Sequence, residues 1–257
     1  MMKGFCAVFR KELYAMFMSP IFYVVAFFFL LVSGVFFNYI LAQVVMVSFQ
    51  IAQHPELGKE FSITELFLRS FLWNLSVVML FVAPLLTMRL YAEERKSGTI
   101  ELLFTYPVTD AAALAGKFAA CVTTFALLMA ATFPGVIAVT LVSAPAWKLI
   151  LCGYTGLFLL GCAFLSLGTF ASTLTRNQII SAIITFGVLL VLWFIGEARS
   201  TAGPLAGSIM EYVSMSKHFE GLSKGLVDSR DILFYFVFSA FFLFLTLRQM
   251  SSYPWRG

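Results

Sequence analysis

Apolar residues run along this chain in six blocks, and the polar residues collect between them. The blocks extend from Pro20 to about Ala42, with apolar character persisting to about Ile51; from about Phe67 to Met88; from about Ala112 to Val142; from about Trp147 to Thr173; from Ile179 to Ile195; and from Ile232 to Leu247. A helix needs about 20 apolar residues to cross the hydrocarbon of a bilayer, so the pattern predicts six transmembrane helices. The sixth block is short, but Asp231 and Arg248 bracket it cleanly. Ahead of the first block, KGFCAVFRKELYAMFMSP places Phe5, Val8, Phe9, Leu13, Met16 and Phe17 at helical spacing, with Arg10, Lys11 and Glu12 mainly on the other side. That spacing predicts an amphipathic helix over residues 1–19, lying in the membrane interface. A signal peptide fits less well, because Glu12 interrupts the run and no small-residue cleavage site follows a short apolar core. Ser19 and Pro20 form a helix start, a polar cap followed by a proline where its missing N–H costs little.

Composition moves this from pattern to class. The 257 residues are 61% hydrophobic and 12% charged, whereas a soluble domain is about a quarter charged. The surplus apolar area has to face lipid, which makes the chain an all-α polytopic membrane protein with one transmembrane domain over residues 1–257. Charge then orients it. With the N-terminus in the cytoplasm, ten of the 17 Lys and Arg residues fall inside, among them Lys3, Arg10, Lys11, Arg89, Arg95, Lys96 and Lys117, and seven fall outside. The positive-inside bias therefore selects six spans with both termini cytoplasmic, and a bacterial inner membrane as the location.

Several chemistries have no foothold. No apolar block holds an Asp or Glu in its middle, which argues against a proton-coupled pump. No serine has a GxSxG setting. The two Gly-Lys pairs, Gly58-Lys59 and Gly116-Lys117, fail as phosphate loops on both sides: Gln53 and Ala111 stand where the first glycine belongs, and Glu60 and Phe118 where Ser or Thr belongs. Cys6, Cys121, Cys152 and Cys162 form no CxxC pair and read as packing residues, and His54 and His218 lie far apart. No catalytic, cofactor-binding or metal-binding residue is expected.

One polar stretch does demand a reason. EERKSGTIELLFTYPVTD, Glu93 to Asp110, carries six charged side chains between two apolar blocks. Ile100, Leu103 and Phe104 repeat at helical spacing, so a short amphipathic helix is expected after a turn at Gly98, ended by Pro107. Thr109 reads as the cap of the next helix, with Asp110 in its positive first turn. The segment is either a solvated loop with an interfacial helix or a docking surface for a cytoplasmic partner.

The run MRLYAEERKSGTIELLFTYPVTDAAALAGKFAA resembles the first cytoplasmic loop of the ABC-2 type permeases, through Arg89, Glu93, Glu94, Gly98, Thr99, Glu101, Pro107, Gly116 and Lys117. Phe104 and Tyr106 stand where the family's pattern has leucines. KHFEGLSKGLVDSRDILFYF, from Lys217 to Phe236, resembles the segment before the last span in the gliding-motility-type subfamily. The resemblance implies the permease subunit of an ABC transporter, moving a substrate across the inner membrane. ATP would be bound and hydrolysed on a separate ABC ATPase subunit, with no cofactor in this chain. It further implies a homodimer of the permease, a periplasmic or membrane accessory subunit, and no nucleic acid. In that reading the loop 89–111 couples the two subunits, and Glu93, Glu94, Arg95, Gly98, Thr99 and Glu101 carry the contact. The outer segment, residues 197–231, is either short helices dipping into the outer leaflet, as in the family, or an irregular loop. Small residues in span four (Gly153, Gly156, Gly161, Gly168, Ser172) suit tight packing within the chain, and the resemblance puts spans one and five at the dimer seam. A membrane anchor or scaffold that transports nothing is the competing function; a membrane enzyme lacks its catalytic residues.

Overall fold

We describe residues 2–53, 63–98, 109–142, 147–200 and 203–252 of a computed structural model. The chain opens with α1 (Met2–Phe17) and α2 (Pro20–Gln53), followed by α3 (Ile63–Thr87) and the short α4 (Ala92–Ser97). After the loop come α5 (Asp110–Ala130), α6 (Phe133–Val142), α7 (Trp147–Leu174) and α8 (Gln178–Phe194). A 3-10 turn (Ile195–Ser200) leads to α9 (Pro204–Val213), α10 (Met215–Ser223) and α11 (Ser229–Ser251). Six of these helical stretches are long and apolar enough to cross a membrane: α2, α3, α5 with α6, α7, α8 and α11. The fold is that of an all-α polytopic membrane protein.

The third span is one apolar block in sequence but two helices in space. Pro134 lacks an N–H, and its ring opposes the carbonyl four residues back, at Ala130. The helix breaks at Ala131 and Thr132, and the Thr132 hydroxyl bonds the Met129 carbonyl at 2.8 Å and the Tyr154 hydroxyl at 3.0 Å. Span one differs from expectation in the other direction. It continues to Gln53 because no glycine or proline follows Gly34 in it, and its 34 residues give about 51 Å, well beyond a bilayer core.

The bundle is built around α7. Of its most apolar window 72% is buried, against 17% for α2, 28% for α8 and 11% for α11. Its small residues set how closely the neighbours approach. A Cβ at Gly161 would lie 2.1 Å from the Phe125 ring of α5, and one at Gly168 would lie 2.1 Å from the Thr87 hydroxyl of α3. Span four therefore packs within its own chain, as its small residues predict. The outer helices instead show lipid-facing stripes, such as Tyr23, Phe27, Val35 and Tyr39 on α2, with a buried stripe of Val25, Phe29, Ser33 and Ile40 behind them.

Among the described residues the outer segment forms short helices, not an irregular loop. Gly203-Pro204 opens α9 with the proline at its first position. The helix α10 is the better anchored of the two: Met215, Phe219 and Leu222 are buried, and Leu222 sits against Gly156 of α7. Replacing Gly161 with leucine should lower the thermal midpoint of the detergent-solubilised protein by the equivalent of about 1–3 kcal/mol, the usual cost of overpacking. An unchanged melting curve would mean that α5 and α7 are not this close.

Candidate functional site

The densest ionic arrangement lies where the charged loop begins. Lys117, about two turns into α5, is fully buried. Its ammonium has three N–H groups, and three acceptors receive them: Glu12 Oε1 of α1 at 2.8 Å, the Leu90 carbonyl after α3 at 2.9 Å, and Glu94 Oε1 of α4 at 2.9 Å. The Tyr91 ring faces the same nitrogen, 5.2 Å from its centroid, an attractive placement for a cation over an aromatic face. Lys11 approaches from outside, 3.3 Å from Glu94 and 3.6 Å from Glu12. Burial alone lowers the Lys11 pKa, but the charges of Glu94 and Glu12 outweigh it and hold the ammonium above its ordinary value. Two carboxylates and two ammoniums leave the cluster neutral, which a site at the membrane rim needs.

The local sequence explains how these groups meet. The helix α1 does more than lie in the interface: it packs on α5, Val8 facing Gly116, where an added Cβ would come within 3.0 Å, and the Met16 sulfur taking the Thr124 hydroxyl at 3.3 Å. That turns Glu12, which the helix pattern put on the polar side, into the bundle. Thr109 caps α5 by accepting from the Ala112 N–H at 3.4 Å, as its position predicts. The helix α4 carries Glu93 and Glu94 in its first turn and Arg95 and Lys96 in its last, the order that its dipole favours. Gly98 ends it with φ +72°, a left-handed conformation that glycine adopts without strain.

The six residues expected at the partner contact divide into three groups. Glu93 and Gly98 are exposed, Glu93 pairing with Arg89 at 2.9 Å while Arg89 also bonds the Ser19 hydroxyl. Glu94 and Arg95 turn inward: the Glu94 side chain is 14% exposed and holds Lys117, and Arg95 donates to the Thr173 carbonyl at the end of α7. Thr99 and Glu101, with the expected helix through Ile100, Leu103 and Phe104 and its stop at Pro107, lie outside the described residues. Sequence reasoning missed Glu12, Lys11 and Lys117 as members of a site. The signal was there for Lys117, the single charged residue between Ala111 and Ala146, since an ionisable group inside an apolar block is rarely idle.

Two buried polar atoms of the cluster, Glu94 Oε2 and the Tyr91 hydroxyl, have no hydrogen-bond partner among the described residues. No group of three or more His, Cys, Asp or Glu among those residues is placed to hold a metal ion. The ionic cluster ties the root of a charged loop to an interfacial helix and to a span.

A six-span helical bundle with this ionic tie at one rim has the construction of a multi-pass membrane protein. The chain belongs to the ABC-2 family: the family described as ABC-2 family transporter protein matches residues 6–247. A comparison with curated proteins found no match. Membership makes the chain a membrane permease component of an ABC transporter, and a family of this kind works with an ABC ATPase.

The cluster predicts a specific energetic pattern. Lys117→Met leaves Glu12 and Glu94 facing each other with only the exposed Lys11 ammonium beside them and should cost about 3–5 kcal/mol of stability. The triple change Glu12→Gln, Glu94→Gln, Lys117→Met should cost less than Lys117→Met alone, read from thermal melts in detergent. Additive losses would show that the three groups do not interact.

Proposed function

We propose that the chain is the permease half of an ABC transporter of the bacterial inner membrane. Two copies pair, two separate ATPase subunits dock beneath them, and ATP-driven closure of those subunits switches the pair between inward- and outward-facing states. The observation that carries this reading is the Lys117 cluster. Any force on the root of the charged loop reaches Glu94, passes through the Lys117 ammonium to Glu12, and so moves α1 and α5 with α4 as one unit. The Arg95 bond to the Thr173 carbonyl adds α7 to the same path. The spare acceptor on Glu94 and the spare donor on Tyr91 give the cluster room for a second hydrogen-bonded arrangement. In this reading Glu93, Gly98, Thr99 and Glu101 meet the ATPase, while Glu94 and Arg95 tie the contact to the bundle from beneath.

Pairing along spans one and five has support in two glycines. Gly34 of α2 and Gly187 of α8 lie mid-span, and a Cβ at either would meet nothing within 4 Å. Small residues facing outward permit the close backbone approach that drives helix association in lipid. Around Gly187, Ile184 and Val188 are exposed on the same helix. The Lys217–Phe236 segment supports placing the chain with the gliding-motility-type permeases, with a periplasmic or membrane accessory subunit as a further partner.

The test is recovery of an ABC ATPase when the permease is purified from its host in mild detergent. Reversing a charge that is paired at an interface costs about 2–5 kcal/mol, tenfold or more in affinity. Glu101→Lys, and separately Gly98→Pro, whose ring cannot reach φ +72°, should insert normally and lose the ATPase at least tenfold. Full ATPase recovery with both changes combined would remove the docking role. A wild-type permease that brings down no ATPase would favour the scaffold reading.

A further inference from the structure

The helix α2 carries an exposed face longer than the membrane is thick. It begins at the charged rim, where Ser19, the residue before it, bonds Arg89. Hydrocarbon about 30 Å thick takes about 20 helical residues, which ends near Tyr39, while α2 continues to Gln53. Val45 and Phe49 lie in the remainder and are 44% and 67% exposed. Even a tilt of about 40°, the upper end of the usual range, leaves Phe49 past the hydrocarbon. In a single chain this face meets lipid tails over its first part and no lipid tail beyond it.

The face has a repeat. Counting from Ile21 in alternate steps of three and four residues lands on nine positions as far as Phe49, and all nine are exposed. No other register of that repeat on α2 is exposed throughout. Side chains every 3.5 positions are the pattern by which a helix packs along another of its kind, each entering a gap between four side chains of the facing helix. Eight of the nine are apolar, among them Phe28, Val35 and Val45, and the ninth is Asn38. Gly34 adjoins the strip, and a Cβ there would meet nothing within 4 Å, so a second backbone can come close.

Asn38 identifies what the strip fits. One of its two amide N–H groups donates to the Gly34 carbonyl of its own helix at 3.0 Å. Its other N–H and its Oδ1 make no bond among the described residues. A side-chain amide offers both a donor and an acceptor, and the group that satisfies both is another amide. Lipid tails offer neither, and Asn side chains bond across helices in membranes for that reason. In two parallel copies of α2 related by a twofold axis, every position of the strip meets itself. Asn38 then meets Asn38, donor to acceptor and acceptor to donor. One polar layer in an apolar seam fixes its register. An unlike partner would need a matching apolar strip with an amide at the same height, whereas a second copy has both.

We propose that α2 packs on α2 of a second copy in a parallel heptad seam from Ile21 to Phe49, held in register by an Asn38–Asn38 amide pair and continuing past the hydrocarbon on the side away from the charged loop. This rests on the reading that two copies pair, and goes further by naming the self-contact, its direction and the residue that sets its register.

Oxidative crosslinking of the full chain in native membranes tests it, in a Cys6→Ser background that removes the exposed native thiol. Phe28→Cys, Val35→Cys and Phe49→Cys, each made singly, should give disulfide-linked dimers, because equal positions face each other across the seam. Leu30→Cys and Gln43→Cys, exposed on either flank of the strip, should give little or none. Adding Asn38→Leu should lower the Val35→Cys yield about fivefold, the worth of one interhelical hydrogen bond in lipid, while Asn38→Gln should keep most of it. Counting copies by stepwise photobleaching, in nanodiscs formed directly from those membranes, separates the outcomes. Two copies with disulfides at the flanks, or with none, overturn the seam and leave the pairing reading intact. Single copies overturn both. An adduct of the strip positions with a different protein, or a yield unchanged by Asn38→Leu, also overturns the proposal.

Discussion

An ammonium cannot be left bare at the edge of hydrocarbon. Lys117 meets that constraint by drawing one acceptor from each of three places: the Glu12 carboxylate of α1, the Leu90 carbonyl in the turn between α3 and α4, and the Glu94 carboxylate of α4. Desolvating an ion costs several kcal/mol unless its hydrogen bonds are complete, so these three elements are not free to separate. The interfacial helix is fixed to the bundle by this charge as well as by its apolar stripe. The loop between spans two and three consequently starts from a fixed root. A cytoplasmic partner that presses on that loop presses on three helices at once.

The two ends of the bundle solve different problems. At the loop end Lys117, Glu12 and Glu94 are enclosed and mutually dependent, which suits transmission of force with little slack. At the other end α10 is held by two exposed pairs and one enclosed imidazole. Between them α7 supplies stiffness. Its glycines bring α3 and α5 to within van der Waals contact of its backbone, and in lipid such packing is what association rests on. Movement of the root by α4, α1 and α5 therefore reaches a rigid central helix before it reaches the outer face.

The six spans could be read from the sequence because the bilayer imposes length and polarity on every one of them. The caps at Thr109 and Gly98 could be read because each rests on local backbone chemistry. Less visible was anything that depends on which faces meet. Helical spacing put Glu12 on the polar side of α1, and only its packing on α5 reveals that this side faces Lys117. Lys117 itself was legible as an anomaly in an apolar run, but its partners lie 105 and 23 residues away. The break before Pro134 was hidden because apolar character does not change there. His218 and Asp231 are 13 residues apart across a bend at Gly225, φ +77°, so no helical spacing pairs them. Glu94 matched a family position but not its orientation: an exposed loop carboxylate and an inward-facing one look the same in sequence.

The central claim is that α1 and α4 move as one body because Lys117 holds both. Spin labels at Arg10 and Lys96, both exposed, report the distance between those helices in the complex with its ATPase. The account predicts that this distance stays the same with and without trapped nucleotide, while the distance from Lys96 to a label at Lys224 on the far side changes. A change in the Arg10–Lys96 distance upon nucleotide trapping, with the far-side distance constant, would contradict it.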